Sequence, residues 1–289
     1  MDSGGNSMAE EFGRRFGKDA AAVLARIVNP GFAGVIGAED WQELIRGRDE
    51  DDILLHLLPL AARLAVTPVS GFAVGALVLG ASGKVYAGAN LEFSRLTAGS
   101  TLHAEQAALI AARNGGEKAL RCLAVDAAPC GHCRQFLMEA DDQGAMKVLF
   151  PGVSTTLAGL YPHPFGPAQL QISAGLLASA SSPPTGADLP ALARFAADNC
   201  WSPYSGHRLG VALQTGDGRL FSGSLMENAA FNPGVQPATA ALSALTLAGG
   251  SPGDVTGIFM SAAACLPEPV LQANRQILGS VTPAPVQEE

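Results

Sequence analysis

One stretch of this chain is written twice. GFAVGALVLGASGKVYAGANLE at 71–92 returns as GHRLGVALQTGDGRLFSGSLME at 206–227. Gly75, Gly83, Gly88 and Glu92 match Gly210, Gly218, Gly223 and Glu227 at a constant offset of 135 positions. Several glycines held at one offset mark a duplicated structural unit. Whatever fold the first half adopts, the second half is therefore expected to adopt as well. In the first copy a short apolar run at 72–79 is broken by Gly83 and resumes at 84–87, the pattern of a β-hairpin.

The flanking segments give the rest of the unit. Apolar spacing predicts helices over 20–28, 41–46 and 53–64, with Asp51 and Asp52 at the amino end of the last and Pro68 closing the region. After the hairpin come a helix over 101–113 ended by Asn114-Gly115, a strand at 121–125, a helix over 131–138 and a strand at 147–150. Strands alternating with helices predict an α/β sandwich. Residues 174–190, AGLLASASSPPTGADLP, have the composition of a linker. The expected organisation is an N-terminal helical segment at 1–50, a first unit at 51–173, the linker at 174–190 and a second unit at 191–289. A chain of 289 residues has room for two domains.

Composition narrows the partners. With 18 Lys and Arg against 26 Asp and Glu, the net charge is −8. Phosphate backbones are bound by clustered basic side chains. The few here are scattered, so we expect no nucleic acid and no membrane surface as partner, and a small molecule instead. The first residues contain no apolar signal core, and no apolar run reaches membrane-spanning length. We expect a cytoplasmic protein. Its five cysteines are an odd count for a disulfide framework, and Cys-x-x-Cys in such a setting points to metal or redox chemistry.

That pair belongs to a two-part pattern. His103-Ala104-Glu105 is followed by Pro129-Cys130-Gly131-His132-Cys133. His-x-Glu with Pro-Cys-x-x-Cys is the signature of the zinc deaminases. Zinc takes nitrogen and sulfur donors in a tetrahedron, and three protein ligands leave one position open for water. Each half-motif is expected where a loop enters a helix, whose amino end favours thiolates. Two other readings stay open: a redox dithiol, and a structural zinc with His132 or Glu105 as fourth ligand.

HAEQ (103–106), PCGHCRQF (129–136), GANLEF (88–93) and ENAAFNP (227–233) together resemble the two-domain, homodimeric cytidine deaminases of bacteria and plants. The similarity runs from about residue 50 to about residue 260. It implies a three-layer α/β/α cytidine-deaminase-like fold, present in duplicate, and hydrolytic deamination of cytidine and 2′-deoxycytidine in pyrimidine salvage. It implies Zn2+ held by His103, Cys130 and Cys133, with Glu105 as the proton carrier. Asn90 and Glu92 would bind the ribose hydroxyls, Phe72 would stack on the pyrimidine, and the N–H of Ala104 would bind ring O2. Phe165 matches a pocket aromatic, and residues near Ala230 and Phe231 would reach the partner subunit's site. Ala127 stands where the family often carries an aromatic, which thins one pocket wall.

From the residues alone, Phe72 equally suits a core strand, Asn90 a turn and Phe165 loop packing. In the second copy the His-x-Glu slot is expected to hold Pro237-Ala238-Thr239. Cys265 falls near the first cysteine position, as a small buried side chain, and Glu268 replaces the second. That copy should bind no zinc. It would pack on the catalytic unit and help close the partner's pocket. Three alternatives share the motif: a deaminase acting on nucleic acid, a deoxycytidylate deaminase with Arg95 as phosphate ligand, and a zinc-stabilised scaffold without activity.

Overall fold

The segment Gly75–Gly80 is buried at every position. A strand of this kind must be covered on both faces. Alternation sorts its side chains: Ala76 and Val78 enter one core, and Leu77 and Leu79 enter another. The three-layer architecture follows from this strand.

The structure, a computed structural model, describes residues 3–29, 31–141, 143–263 and 266–289. In chain order the first part contains α1 (Ser3–Phe16), α2 (Lys18–Val28), β1 (Val35–Ile36), α3 (Ala38–Ile45), α4 (Glu50–Ala62), β2 (Gly75–Gly80) and β3 (Val85–Ala89). It continues with α5 (Ala104–Asn114), β4 (Leu120–Val125), α6 (Gly131–Leu137), β5 (Lys147–Phe150), β6 (Val153–Thr156) and α7 (Leu157–Leu160). The second part contains α8 (Leu189–Asp198), β7 (Leu209–Thr215), β8 (Leu220–Ser224), α9 (Pro237–Leu247), β9 (Val255–Ala262), α10 (Glu268–Gly279) and β10 (Val286–Glu288).

The first sheet has the order β1-β3-β2-β4-β5-β6, with β4 and β5 parallel and the other pairs antiparallel. Asp49 caps α4 by accepting the Asp52 N–H, and Leu54, Leu57 and Leu58 carry that helix onto one sheet face. On the other face α5 packs through Ala107, Ala108 and Leu109. The second sheet has the order β10-β9-β7-β8. Leu192 and Ala193 of α8 cover one side, and Ala241 and Leu245 of α9 the other. The α5 and α9 faces belong to one continuous core, so the two units are fused along their inner layers. The expected duplicated α/β/α fold is present.

The repeated glycines have physical reasons. A Cβ on Gly88 would lie 2.2 Å from the Ala104 carbonyl oxygen, and one on Gly223 would lie 2.2 Å from that of Pro237. In both units, strand and helix touch backbone to backbone. Gly83 and Gly218 turn the two hairpins at φ of +83° and +85°, where a side chain would be strained.

Several elements differ from the sequence expectation. The helix expected from residue 101 begins at Ala104 because Leu102 is taken into a ladder with Leu91, their N–H···O distances being 2.9 and 3.0 Å. Helix α1 forms although SGGNS is a poor helix sequence, and its own Phe12 is buried in the core. The strands β1 and β6 are short edge elements with no apolar run to announce them. Leu176, Leu177 and Ala180, in the stretch with linker composition, are buried, and the Arg113 guanidinium donates to the Leu176 carbonyl.

Candidate metal centre and active site

His103 and Cys130 occupy equivalent positions, each the N-cap of a helix: His103 caps α5 and Cys130 caps α6. Both backbones are extended there, with ψ of 155° and 168°, and this aims the side chains across the helix tips rather than along them. Cys133 is the third residue of α6 and is buried. The donor atoms converge. His103 Nδ1 is 3.5 Å from Cys130 Sγ and 3.4 Å from Cys133 Sγ, and the two sulfurs are 3.6 Å apart. Zinc at usual bond lengths in a tetrahedron spaces sulfur from nitrogen by about 3.6 Å and sulfur from sulfur by about 3.8 Å. The donor set fits zinc in residue type and in spacing.

The Cys130–Cys133 contact draws Cys130 down to about 4 and, together with burial, pushes Cys133 up. Among the described residues the convergent donors are His103, Cys130 and Cys133. His132 is not among them. Its ring stacks on that of His103, centroids 5.6 Å apart and planes 16° apart, and its Nε2 lies 3.3 Å from Gln106 Nε2. Three protein donors with no fourth is the pattern of a catalytic site rather than a structural one.

Beside the donors is a cavity of about 270 Å³, lined among others by Phe72, Asn90, Glu92, His103, Ala104, Glu105 and Cys130. Glu105, second residue of α5, is buried, and burial raises its pKa. Asn90 and Glu92 are each 8 % exposed. Asn90 Oδ1 accepts the Val74 N–H at 2.8 Å, and its amide donates to the Phe72 carbonyl at 2.9 Å. Burial works against ionisation of Glu92. Hydrogen bonds from the Ser70 hydroxyl and the N–H groups of Ser70 and Val69 outweigh it and hold the carboxyl below its usual range. Phe72 is 65 % exposed at the mouth of the cavity, so the core-strand reading of this residue is set aside.

Phe165 is not brought to this cavity. It is exposed, and its carbonyl accepts from Gln135 Nε2 at 2.6 Å. Arg95 is exposed and also lies outside the cavity. Sequence reading missed Ser70, Val74, Thr101, Val125 and Ala128 in the wall. Of these only Ser70, in a turn before a strand, left any signal. Ala127, the thinned position, does line the cavity.

The second copy needs a correction. Its strands keep the offset of 135, but α9 begins 133 positions after α5 because the preceding loop is two residues shorter. The His-x-Glu slot therefore holds Gln236-Pro237-Ala238, with Gln236 as N-cap, rather than Pro237-Ala238-Thr239. Pro267 caps α10 as Cys130 caps α6. Cys265 lies outside the described residues.

Two family models, both described as the cytidine and deoxycytidylate deaminase zinc-binding region, match the chain, one at residues 48–149 and the other at 157–265. That places the chain in the class of zinc-binding nucleobase deaminases. The cytidine deaminase of Sodalis glossinidius (strain morsitans) is 43% identical over 237 residues, 75% of this chain and 77% of its own. That of Pectobacterium carotovorum subsp. carotovorum (strain PC1) is 40% identical over 235 residues, 79% of each chain. The crystal structure of cytidine deaminase from Mycobacterium tuberculosis aligns with 35% identity over 40% of this chain and 96% of that one, with a TM-score of 0.37. The chain belongs to the cytidine deaminase family.

Proposed function

We infer that the protein hydrolyses cytidine, and 2′-deoxycytidine, to the corresponding uridine and ammonia. The observation that carries this is the convergence of His103, Cys130 and Cys133 beside the buried Glu105, on a cavity that Asn90 and Glu92 also line. His103, Cys130 and Cys133 would hold Zn2+, which when bound would supply a water acidic enough to act as nucleophile near neutral pH. Glu105 would carry a proton to ring N3, which would make C4 electrophilic. It then protonates the leaving amine, serving first as base and then as acid. Its burial keeps bulk water from competing for the proton.

The remaining contacts position the ring. Asn90 and Glu92 bind the ribose hydroxyls, Phe72 stacks over the base, and the Ala104 N–H at the start of α5 holds O2. The Asn90 amide is already fixed by two backbone partners, which supports a preorganised sugar site. Phe165 is assigned to substrate by resemblance alone. A homodimer is part of this reading. Phe231 is 69 % exposed at φ +64°, a presentation that supports a reach into the partner's cavity. No helix among the described residues is long and apolar enough to cross a membrane. A cytoplasmic setting is part of this reading, because a reducing compartment keeps such cysteines available to a metal.

The test is direct. Zinc-loaded protein should bleach the cytidine ultraviolet band, and Glu105→Gln should keep its zinc and fail to do so. Bound zinc with an unchanged cytidine spectrum in the wild type would overturn the reading.

A further inference from the structure

The loop at 228–234 belongs to the copy in which Gln236 and Ala238 replace His103 and Glu105, yet it docks on both helices that carry the metal donors. Asn228 Nδ2 donates to the Gln135 carbonyl at 3.1 Å, and the Ala229 N–H donates to Glu139 at 2.7 Å. Those two contacts grip α6 and the turn after it. On the other side, Gln106 of α5 donates from Nε2 to the Pro233 carbonyl at 3.1 Å. Gln106 is only 2 % exposed, so water does not compete for these bonds.

The orientation of the Gln106 amide is dictated by its neighbours. A carbonyl only accepts, and a backbone N–H only donates. The amide nitrogen must therefore face Pro233, and the amide oxygen must face the His103 N–H, 3.2 Å away. The second amide hydrogen is directed at His132 Nε2, which must then accept, leaving the ring proton on Nδ1. That ring is the one stacked on His103. A single side chain thus touches the backbone of one metal ligand, the ring packed on that ligand, and the second copy.

We propose that Gln106 is a positioning residue for the metal ligand His103, held in that role by the Pro233 carbonyl of the degenerate copy. The second copy thereby acquires a task inside its own subunit. It fixes the relative placement of the α5 and α6 tips, on which the convergence of His103 with Cys130 and Cys133 depends. The inference rests on the zinc reading above.

Gln106→Met keeps length and burial and removes all three hydrogen bonds. Loss of an outer partner of a metal ligand weakens metal binding by about 10- to 100-fold. In the zinc-loaded full chain, we expect Gln106→Met to release zinc to a chromophoric chelator at least about tenfold faster than wild type. With cobalt in place of zinc, its visible absorption bands should shift, because they report ligand geometry. Asn228→Ala, which leaves Gln106 intact, should move both readouts the same way by less. A side chain that merely glued the units together would lower the melting temperature and leave the cobalt spectrum alone. Wild-type release and a wild-type cobalt spectrum in Gln106→Met overturn the proposal. Should that variant fail to fold, the same result in Asn228→Ala overturns it. A wild-type chain that takes up no zinc, or a Cys133→Ala variant that retains it fully, instead sinks the zinc reading itself.

Discussion

The two copies agree down to single hydrogen bonds although most of their side chains differ. Glu92 accepts from the N–H groups of Val69 and Ser70 and from the Ser70 hydroxyl. Glu227, 135 positions on, accepts from the N–H groups of Tyr204 and Ser205 and from the Ser205 hydroxyl. The register slips between Leu79 and Gly80 in one sheet and between Gln214 and Thr215 in the other. Val66 bridges Leu91 as Trp201 bridges Met226. Against this shared frame, His103 becomes Gln236, Glu105 becomes Ala238, and Asn90 becomes Leu225. The difference separates scaffold from chemistry. A Ser–Glu clamp that persists where Gln236 and Ala238 stand in place of His103 and Glu105 is a device for closing the turn before the first strand. Its presence beside the active cavity is not by itself a sign of substrate binding.

The largest effect that sharpens this comparison lies at Glu105. Glu105→Gln keeps shape and burial but cannot carry the proton, and kcat should fall by about 1,000-fold. Zinc content measured on the same sample should match wild type. A variant with near-normal turnover would return Glu105 to the scaffold side of the ledger.

Asn90→Leu writes the second copy's residue into the first. It leaves the Val74 N–H and the Phe72 carbonyl without their side-chain partner, which costs about 1–3 kcal/mol in a buried setting. If the sugar also binds there, KM for cytidine should rise by about tenfold, the equivalent of one lost hydrogen bond of about 1.4 kcal/mol. Denaturant unfolding and steady-state kinetics read the two effects separately. An unchanged KM in a destabilised variant would make Asn90 a strand-edge brace and nothing more.

The convergence of His103, Cys130 and Cys133, with Glu105 beside them, was legible because residue type and spacing within each half-motif are local, and few other uses demand that combination. The duplication was legible because Gly83, Gly88 and their counterparts are tied to backbone conformation and close approach. What escaped was set at a distance. The slip from 135 to 133 before α9 comes from a shortened loop, and loop length has no periodicity to read. The stretch containing Leu176 has linker composition but is pinned by Arg113, a contact that only the folded chain defines. Phe165 sits in a loop of Pro and Gly, where no pattern says which way a ring will face. Gln106 was in plain view as the third helical residue after an N-cap, a position where Gln often reaches back to the cap N–H. Its second partner, Pro233, lies in the other copy, beyond any local rule.

A pair of matched substitutions tests the clamp directly. Glu92→Gln and Glu227→Gln each weaken three hydrogen bonds to a carboxylate, and each should lower stability by about 1 kcal/mol. Only the first should alter KM, because Glu92 and Ser70 line the cavity proposed to hold the substrate. A KM change of equal size in both would mean that the second copy's turn is coupled to the active cavity.

The smallest effect is the pH dependence of that clamp. The Glu92 carboxyl is held below its usual range in the folded protein by the Ser70 and Val69 donors. A group whose pKa is lower folded than unfolded stabilises the fold above its unfolded value, about 4.3, and loses that contribution as pH falls through the lowered folded value. Melting curves of wild type and Glu92→Gln should therefore stand apart near neutral pH and draw together as the solution is acidified below about pH 4. The sign matters, because burial alone would have raised this carboxyl and made the wild type gain relative stability on acidification. A gap that stays constant, or widens, down to acid pH would mean that the Ser70 and Val69 hydrogen bonds do not outweigh burial. The first clamp would then be a strained carboxylate rather than a stabilising one.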